Sequence, residues 1–171
     1  MRQYFSISLI LLTIFVSACG SHKVNRPNSK ATDSTASVNA AVDTGLYAYM
    51  QVPGKIKVGD TIPLKFTVLN RTAMTRKFLK WQTPFEPLLS KYLDIQNELG
   101  EEVQYKGPMA KRVMPPPADA YISLKPNDSL VVKVNVLKGY DIHEPGKYKI
   151  SYTSENVSGL KVLDSVNFEY R

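Results

Sequence analysis

The chain has 171 residues, of which 43% are hydrophobic and 22% charged, so it is long enough for one globular core with a tail but not for several domains. Its formal net charge of +7 is spread along the sequence, and no run of Lys and Arg is dense enough to argue for nucleic-acid binding. The single cysteine, Cys19, excludes an internal disulfide.

The N-terminus reads as an export segment. Arg2 supplies a positive charge ahead of an apolar stretch from Tyr4 to Val16. That stretch is too short for a comfortable transmembrane helix, which needs about 20 residues, and it fits the apolar region of a signal peptide. The alternatives are an uncleaved anchor and an ordinary signal peptide that merely ends near a cysteine. Val16-Ser17-Ala18-Cys19 closes the segment and resembles the lipobox of bacterial lipoproteins. The resemblance implies cleavage after Ala18 and a thioether-linked lipid on Cys19, with palmitate-type acyl chains holding the protein to a membrane. Several chains together give stable anchoring, whereas one gives only marginal binding. Gly20, rather than Asp, follows the cysteine, which under the same resemblance favours the outer membrane of a Gram-negative envelope. The expected layout is a signal peptide over 1–18, a lipidated cysteine and flexible linker over 19–44, and a folded domain over 45–171.

Removing residues 1–18 leaves 153 residues. The segment from Gly20 to about Asp43 is rich in Ser, Thr, Asn, Ala and Lys and has almost no large hydrophobes. It cannot bury enough surface to offset its ordering entropy, so it reads as a spacer. His22 in that spacer reads as a solvated residue. Asp33-Ser34-Thr35 is a weak candidate for O-glycosylation.

From Leu46 the texture changes to short runs with a period of two. Leu46 to Val52 reads as a first strand, stopped by Pro53-Gly54. Ile62, Leu64, Phe66 and Val68 alternate with polar residues in a second, with Pro63 marking an edge or a strand start. Lys77 to Trp81 reads as a third. Tyr92 to Gln96 and Val103 to Tyr105 flank Asn97-Glu98-Leu99-Gly100 as a hairpin. Tyr121 to Leu124, Leu130 to Val136, Lys147 to Tyr152 and Val166 to Tyr170 continue the pattern. Pro87 to Lys91 is the only helical candidate. Short strands at spacings of about 8–12 residues point to an all-β fold, an immunoglobulin-like antiparallel β-sandwich of about 7–9 strands. Tyr148 is a candidate for a tyrosine-corner contact, with core packing the alternative.

Lys106 to Ala120 interrupts the alternation with Pro108, Pro115, Pro116 and Pro117. Loops beyond about 12–15 residues without secondary structure are uncommon and often functional. Prolines lower the entropy cost of holding such a loop ready to bind. Lys106, Lys111 and Arg112 offer charge, and Met109 and Met114 offer adaptable apolar contact. These five are the candidate partner-binding residues. The alternative is that the loop packs across the sandwich with its cations paired locally. Trp81 and Phe85 are candidates for an aromatic platform facing a glycan, with core packing the alternative.

Catalytic constellations are thin. His143 follows Asp141 by two residues and precedes Glu144, but a triad needs a nucleophile and an orienting acid in space. One histidine in the folded part and no free thiol are a poor basis for zinc. Glu98, Glu101 and Glu102 offer the paired carboxylates a glycosidase needs, although a charged hairpin tip is the common explanation for such a cluster. The expectation is a non-enzyme with no metal and no small-molecule cofactor.

Three groups of residues carry a family resemblance. The first is Trp81-Gln82-Thr83-Pro84. The second is Val103-Gln104-Tyr105-Lys106-Gly107-Pro108 followed by Lys111-Arg112. The third is Ala120-Tyr121-Ile122-Ser123-Leu124-Lys125-Pro126 followed by Tyr140-Asp141-Ile142 and Gly146-Lys147-Tyr148. In this order they resemble the non-catalytic β-sandwich domain that precedes the catalytic domain in bacterial proteins of the deuterolysin and peptidyl-Lys metalloendopeptidase family. The resemblance spans roughly Leu46 to Tyr152. The zinc site of that family, His-Glu-x-x-His, is absent from this sequence, so proteolysis is not implied. What the resemblance implies is an accessory domain without its enzyme, engaging a protease in trans. The alternative is a structural or glycan-contacting envelope lipoprotein that uses Trp81, Phe85 and surface tyrosines.

Overall fold

The structure, a computed structural model, describes residues 45–86 and 88–171. The signal segment, Cys19, His22 and the linker lie outside the described residues.

Alternation builds the strands. In β1 (Leu46–Gln51), Leu46, Ala48 and Met50 are buried while Tyr47, Tyr49 and Gln51 face outward. A short piece, β2 (Lys55–Ile56), follows. In β3 (Pro63–Asn70), Leu64, Phe66 and Val68 are fully buried. The next strands are β4 (Arg76–Leu79), β5 (Leu93–Asn97), β6 (Tyr121–Leu124), β7 (Ser129–Asn135) and β8 (Gly146–Tyr152). A single helical turn, α1 (Glu155–Ser158), then β9 (Lys161–Val162) and β10 (Val166–Tyr170), complete the chain.

Two four-stranded sheets run in the orders β7-β3-β1-β9 and β2-β10-β8-β5, and β4 pairs with β6 in a two-stranded sheet. The inner faces of the large sheets share one core. Phe66 of β3 reaches Tyr152 of β8 at 5.6 Å between ring centroids. Tyr148 of β8 stacks on Phe168 of β10 at 5.4 Å. Each fully buried Leu, Ile or Phe in such a core contributes about 1.5–3 kcal/mol of transfer free energy.

The fold is therefore the all-β sandwich the alternation implied, with three differences. It has ten strands among the described residues, because β2 and β9 are two-residue pieces too short to show a period. These two pair parallel, β2 with β10 and β9 with β1, so the sheets are not purely antiparallel. The expected helix over 87–91 does not form in residues 88–91, which run as bends and irregular chain. There the Tyr105 hydroxyl lies at hydrogen-bond distance from the Leu88 carbonyl, and Ala110 N–H donates to the Leu89 carbonyl. Those carbonyls are thus held by the long loop rather than by a helical turn.

Local chemistry sets the boundaries. Pro63 opens a strand that is paired on both sides, and Ile62 N–H donates to the Asn135 side chain at 3.1 Å. The third strand stops at Leu79, two residues before Trp81. There the chain turns, with Thr83 Oγ1 donating to the Lys80 carbonyl at 2.6 Å and Gln82 at φ +55°. Beyond Asn97 the return arm makes only isolated bridges, Gln96 to Glu102 and Tyr105 to Tyr140, in place of the strand expected over 103–105.

Asn70 ends β3, 1% exposed. Its amide donates to the carbonyls of Met74, Leu124 and Lys125 at 2.8–3.0 Å, which ties β3 to the start of the turn after β6. Tyr148 combines the corner contact with core packing, the two alternatives for it. It is buried, and its hydroxyl donates to the Glu144 carbonyl at 2.8 Å.

Candidate interaction loop

Residues 106–120 are pinned to the sandwich at Ala110, whose N–H donates to the Leu89 carbonyl, and at three further points. At the first, the Tyr105 hydroxyl lies 3.0 Å from the Leu88 carbonyl and 2.9 Å from the Pro108 carbonyl, while its ring packs edge-on against Tyr140 at 5.2 Å. Gly107 sits against that ring, where a Cβ would collide with the Tyr105 hydroxyl and ring carbons. Lys106 N–H donates to the Gly139 carbonyl at 2.8 Å.

The second point is Arg112. Its Nη2 pairs with Glu86 Oε1, and its guanidinium lies over the Trp81 ring, 4.9 Å from the centroid. The Glu86 side chain is 6% exposed and also accepts from Gln82 N–H at 2.9 Å. A carboxylate this buried needs such partners, because an isolated charge out of water is costly. Arg suits the position because Nη2 serves the carboxylate while the planar guanidinium lies over an indole. At the third point, Ala118–Ala120 forms a 3-10 turn. Lys80 holds it, through N–H to the Ala120 carbonyl and Nζ to the Asp119 carbonyl.

Between the pins the loop displays apolar side chains. Met109 is 71% exposed, Val113 78% and Met114 72%. The exposed Lys111 stands between them. The five residues proposed from the sequence thus divide. Met109, Met114 and Lys111 face water. Arg112 turns inward to Glu86, and Lys106 is engaged with Asp141 at 2.6 Å. Val113 belongs with the exposed group and was missed. Its exposure follows from the inward turn of Arg112 to Glu86, a contact across 26 residues that no local pattern marks.

The Trp81–Phe85 platform is corrected by the structure. Trp81 is 9% exposed, in a small cluster with Leu79 and Ala120, and Arg112 covers its face. Phe85 lies against Phe66 and Phe78, at 6.1 and 5.4 Å between centroids. The two rings serve separate clusters and present no joint surface.

The acid–base candidates are occupied locally. His143 is 69% exposed at its side chain, and its Nε2 lies 2.6 Å from Asp141 Oδ1, the atom Lys106 also reaches. The Lys106 ammonium foremost, with His143 beside it, holds Asp141 below the usual carboxylate range. Among the described residues no hydroxyl nucleophile is hydrogen-bonded to His143. Glu101 accepts from the Asn97 amide at 2.8 Å and Glu102 pairs with Lys91, so both help build the hairpin tip. Among the described residues no three His, Cys, Asp or Glu side chains come together to hold a metal. No helix in them is long and apolar enough to cross a membrane.

No family model matches the chain. Over 102 residues, 58% of its length, it is 32% identical to an extracellular protease of Aeromonas hydrophila. It covers 28% of that protein, so it spans little more than a quarter of the curated relative it matches. Among solved structures, a CARDB domain from Pyrococcus furiosus is 13% identical with a TM-score of 0.36, covering 74% of this chain and 94% of that one. The alkylpurine DNA glycosylase AlkC of Pseudomonas fluorescens, bound to DNA containing an abasic site analogue, is 16% identical with a TM-score of 0.40, covering 75% and 31%. A β-glucosidase from Listeria innocua in complex with glucose is 13% identical with a TM-score of 0.39, covering 73% and 16%.

Proposed function

We propose that this chain is a non-enzymatic envelope module, anchored through a lipid on Cys19, that docks a secreted protease through the 106–120 loop. The observation that carries the reading is the display of Met109, Val113 and Met114 on a loop pinned by Tyr105, Arg112 and Ala120. A loop held in place loses less entropy on binding than a free one, and unbranched methionines adapt to a partner surface. The partner class is supported by the similarity to part of an extracellular protease and by the accessory-domain motifs, which occur here without the His-Glu-x-x-His sequence. In this reading the chain regulates or positions a metalloprotease in trans, at the outer membrane.

Two experiments test it. Residues 20–171 are immobilised and exposed to the culture medium and solubilised envelope of the source bacterium, and captured proteins are identified by mass spectrometry. A metalloprotease enriched by the parent and absent with Met109→Asp/Met114→Asp is the expected result. Capture of no protease, or equal capture by both forms, ends the proposal. Separately, Cys19→Ala is expected to move the protein from the membrane to the soluble fraction; retention on the membrane would refute lipid anchoring.

A further inference from the structure

The outward face of the β7-β3-β1-β9 sheet is fixed by its register. One row across it reads Lys133, Lys65, Gln51, the next Val131, Thr67, Tyr49, and the third Ser129, Leu69, Tyr47, Lys161. None of these residues is acidic. Tyr47 and Tyr49 are half-buried, two residues apart on one strand, which sets them about 7 Å apart. Lys65 and Lys133 are direct cross-strand partners, an arrangement in which like charges repel. No ion pair among the described residues neutralises Lys65, Lys133 or Lys161. At the lysine end the face runs into a groove of about 310 Å³ lined by Gln51, Val52, Pro53, Pro63, Lys65 and Lys133.

We propose that this face binds an anionic polysaccharide, a sugar chain bearing uronate or phosphate groups. The two tyrosine rings offer flat apolar surfaces to successive sugars, and the three lysines meet the charges the sugars carry. Gln51 adds a donor and an acceptor for hydroxyls. An anion seated between Lys65 and Lys133 removes the repulsion that the free face retains. The charged groups are all lysine, with no arginine to fork onto phosphates or bases, which favours a polysaccharide over a nucleic acid. The surface shares no residue with the 106–120 loop, so it stands or falls independently of the protease reading.

The test is calorimetric titration of the full chain, purified in detergent, with polygalacturonate. Neutral dextran, a single-stranded oligonucleotide and phosphatidylglycerol vesicles serve as comparators. The expected result is saturable, salt-sensitive binding to polygalacturonate and none to dextran. Affinity should be at least about tenfold weaker in Lys65→Gln/Lys133→Gln and in Tyr49→Ala. Lys161→Gln, on another strand, keeps the test intact if Tyr49→Ala does not fold, as judged by circular dichroism. Binding to polygalacturonate no tighter than to dextran would overturn the proposal, as would parental affinity in the folded variants. Tighter binding to the oligonucleotide or the vesicles would also overturn it, and would reassign the face.

Discussion

Tyr140 and Leu93 satisfy each other reciprocally. The Tyr140 hydroxyl donates to the Leu93 carbonyl and accepts from the Leu93 amide, each at 3.0 Å, across 47 residues of sequence. Strand β5 is the outer strand of its sheet, and these two backbone groups point away from β8. A buried phenol therefore stands in for a missing neighbouring strand. Tyr140→Phe keeps the packing but leaves both groups without that partner, and is expected to destabilise the fold by about 1–3 kcal/mol in urea denaturation. Parental stability in the variant would show that solvent replaces the hydroxyl.

Burial also sets the behaviour in alkali. It pushes the Tyr140 phenol up to about 12 and raises Tyr92 and Tyr152 as well. In the unfolded chain these groups ionise near their ordinary value of about 10. Above that pH the native state holds more protons than the unfolded one, so stability falls as pH rises toward and through the folded value. The urea midpoint is expected to stay flat to about pH 9 and decline from about pH 10, with phenolate absorbance rising as the fold is lost. Full tyrosine ionisation near pH 10 in a still-folded protein would contradict this.

Glu86 depends on Arg112. Arg112→Ala leaves a buried carboxylate with one backbone donor and uncovers Trp81. A loss of about 3 kcal/mol is expected. Adding Glu86→Gln should recover part of it, because no unpaired charge then remains. Arg112→Lys should fall between, since an ammonium keeps a charge for Glu86 but has no planar face to lie over Trp81. A purely additive double mutant would mean the two residues do not interact.

The exposed apolar side chains should be energetically silent in the free protein. Met109→Asp/Met114→Asp is expected to shift stability by no more than about 0.5 kcal/mol while abolishing protease capture. A large drop in stability would instead make these side chains part of the packing.

Gly107→Ala probes the first pin. The added methyl would displace the Tyr105 ring from the Leu88 and Pro108 carbonyls. A cost of about 1–3 kcal/mol is expected, together with weaker protease capture even though no exposed residue has changed. Unchanged capture would show that the pin does not position the loop.

Much of the sandwich is legible in the sequence because a half-buried strand writes its face in steps of two. Leu64, Phe66 and Val68, then Tyr148, Ile150 and Tyr152, then Phe168 and Tyr170, all turn to the core as their alternation required. The two-residue strands β2 and β9 are illegible for the same reason, since two residues have no period and exist as strands only because β10 and β1 lie beside them. The 106–120 loop stands out through its prolines. The inward turn of Arg112 does not, because the carboxylate that draws it in lies 26 residues away.

The sequence by itself determined the alternating faces, the interruption by the proline-rich loop and the absence of an internal disulfide, since each depends on residue type or on spacing along the chain. Tertiary structure alone decided that Trp81 lies beneath Arg112, that Tyr140 caps an outer strand, and that Lys65, Lys133, Lys161 and two tyrosines share one sheet face. These are contacts between distant segments, and register and sheet order, which no local pattern encodes, bring them together.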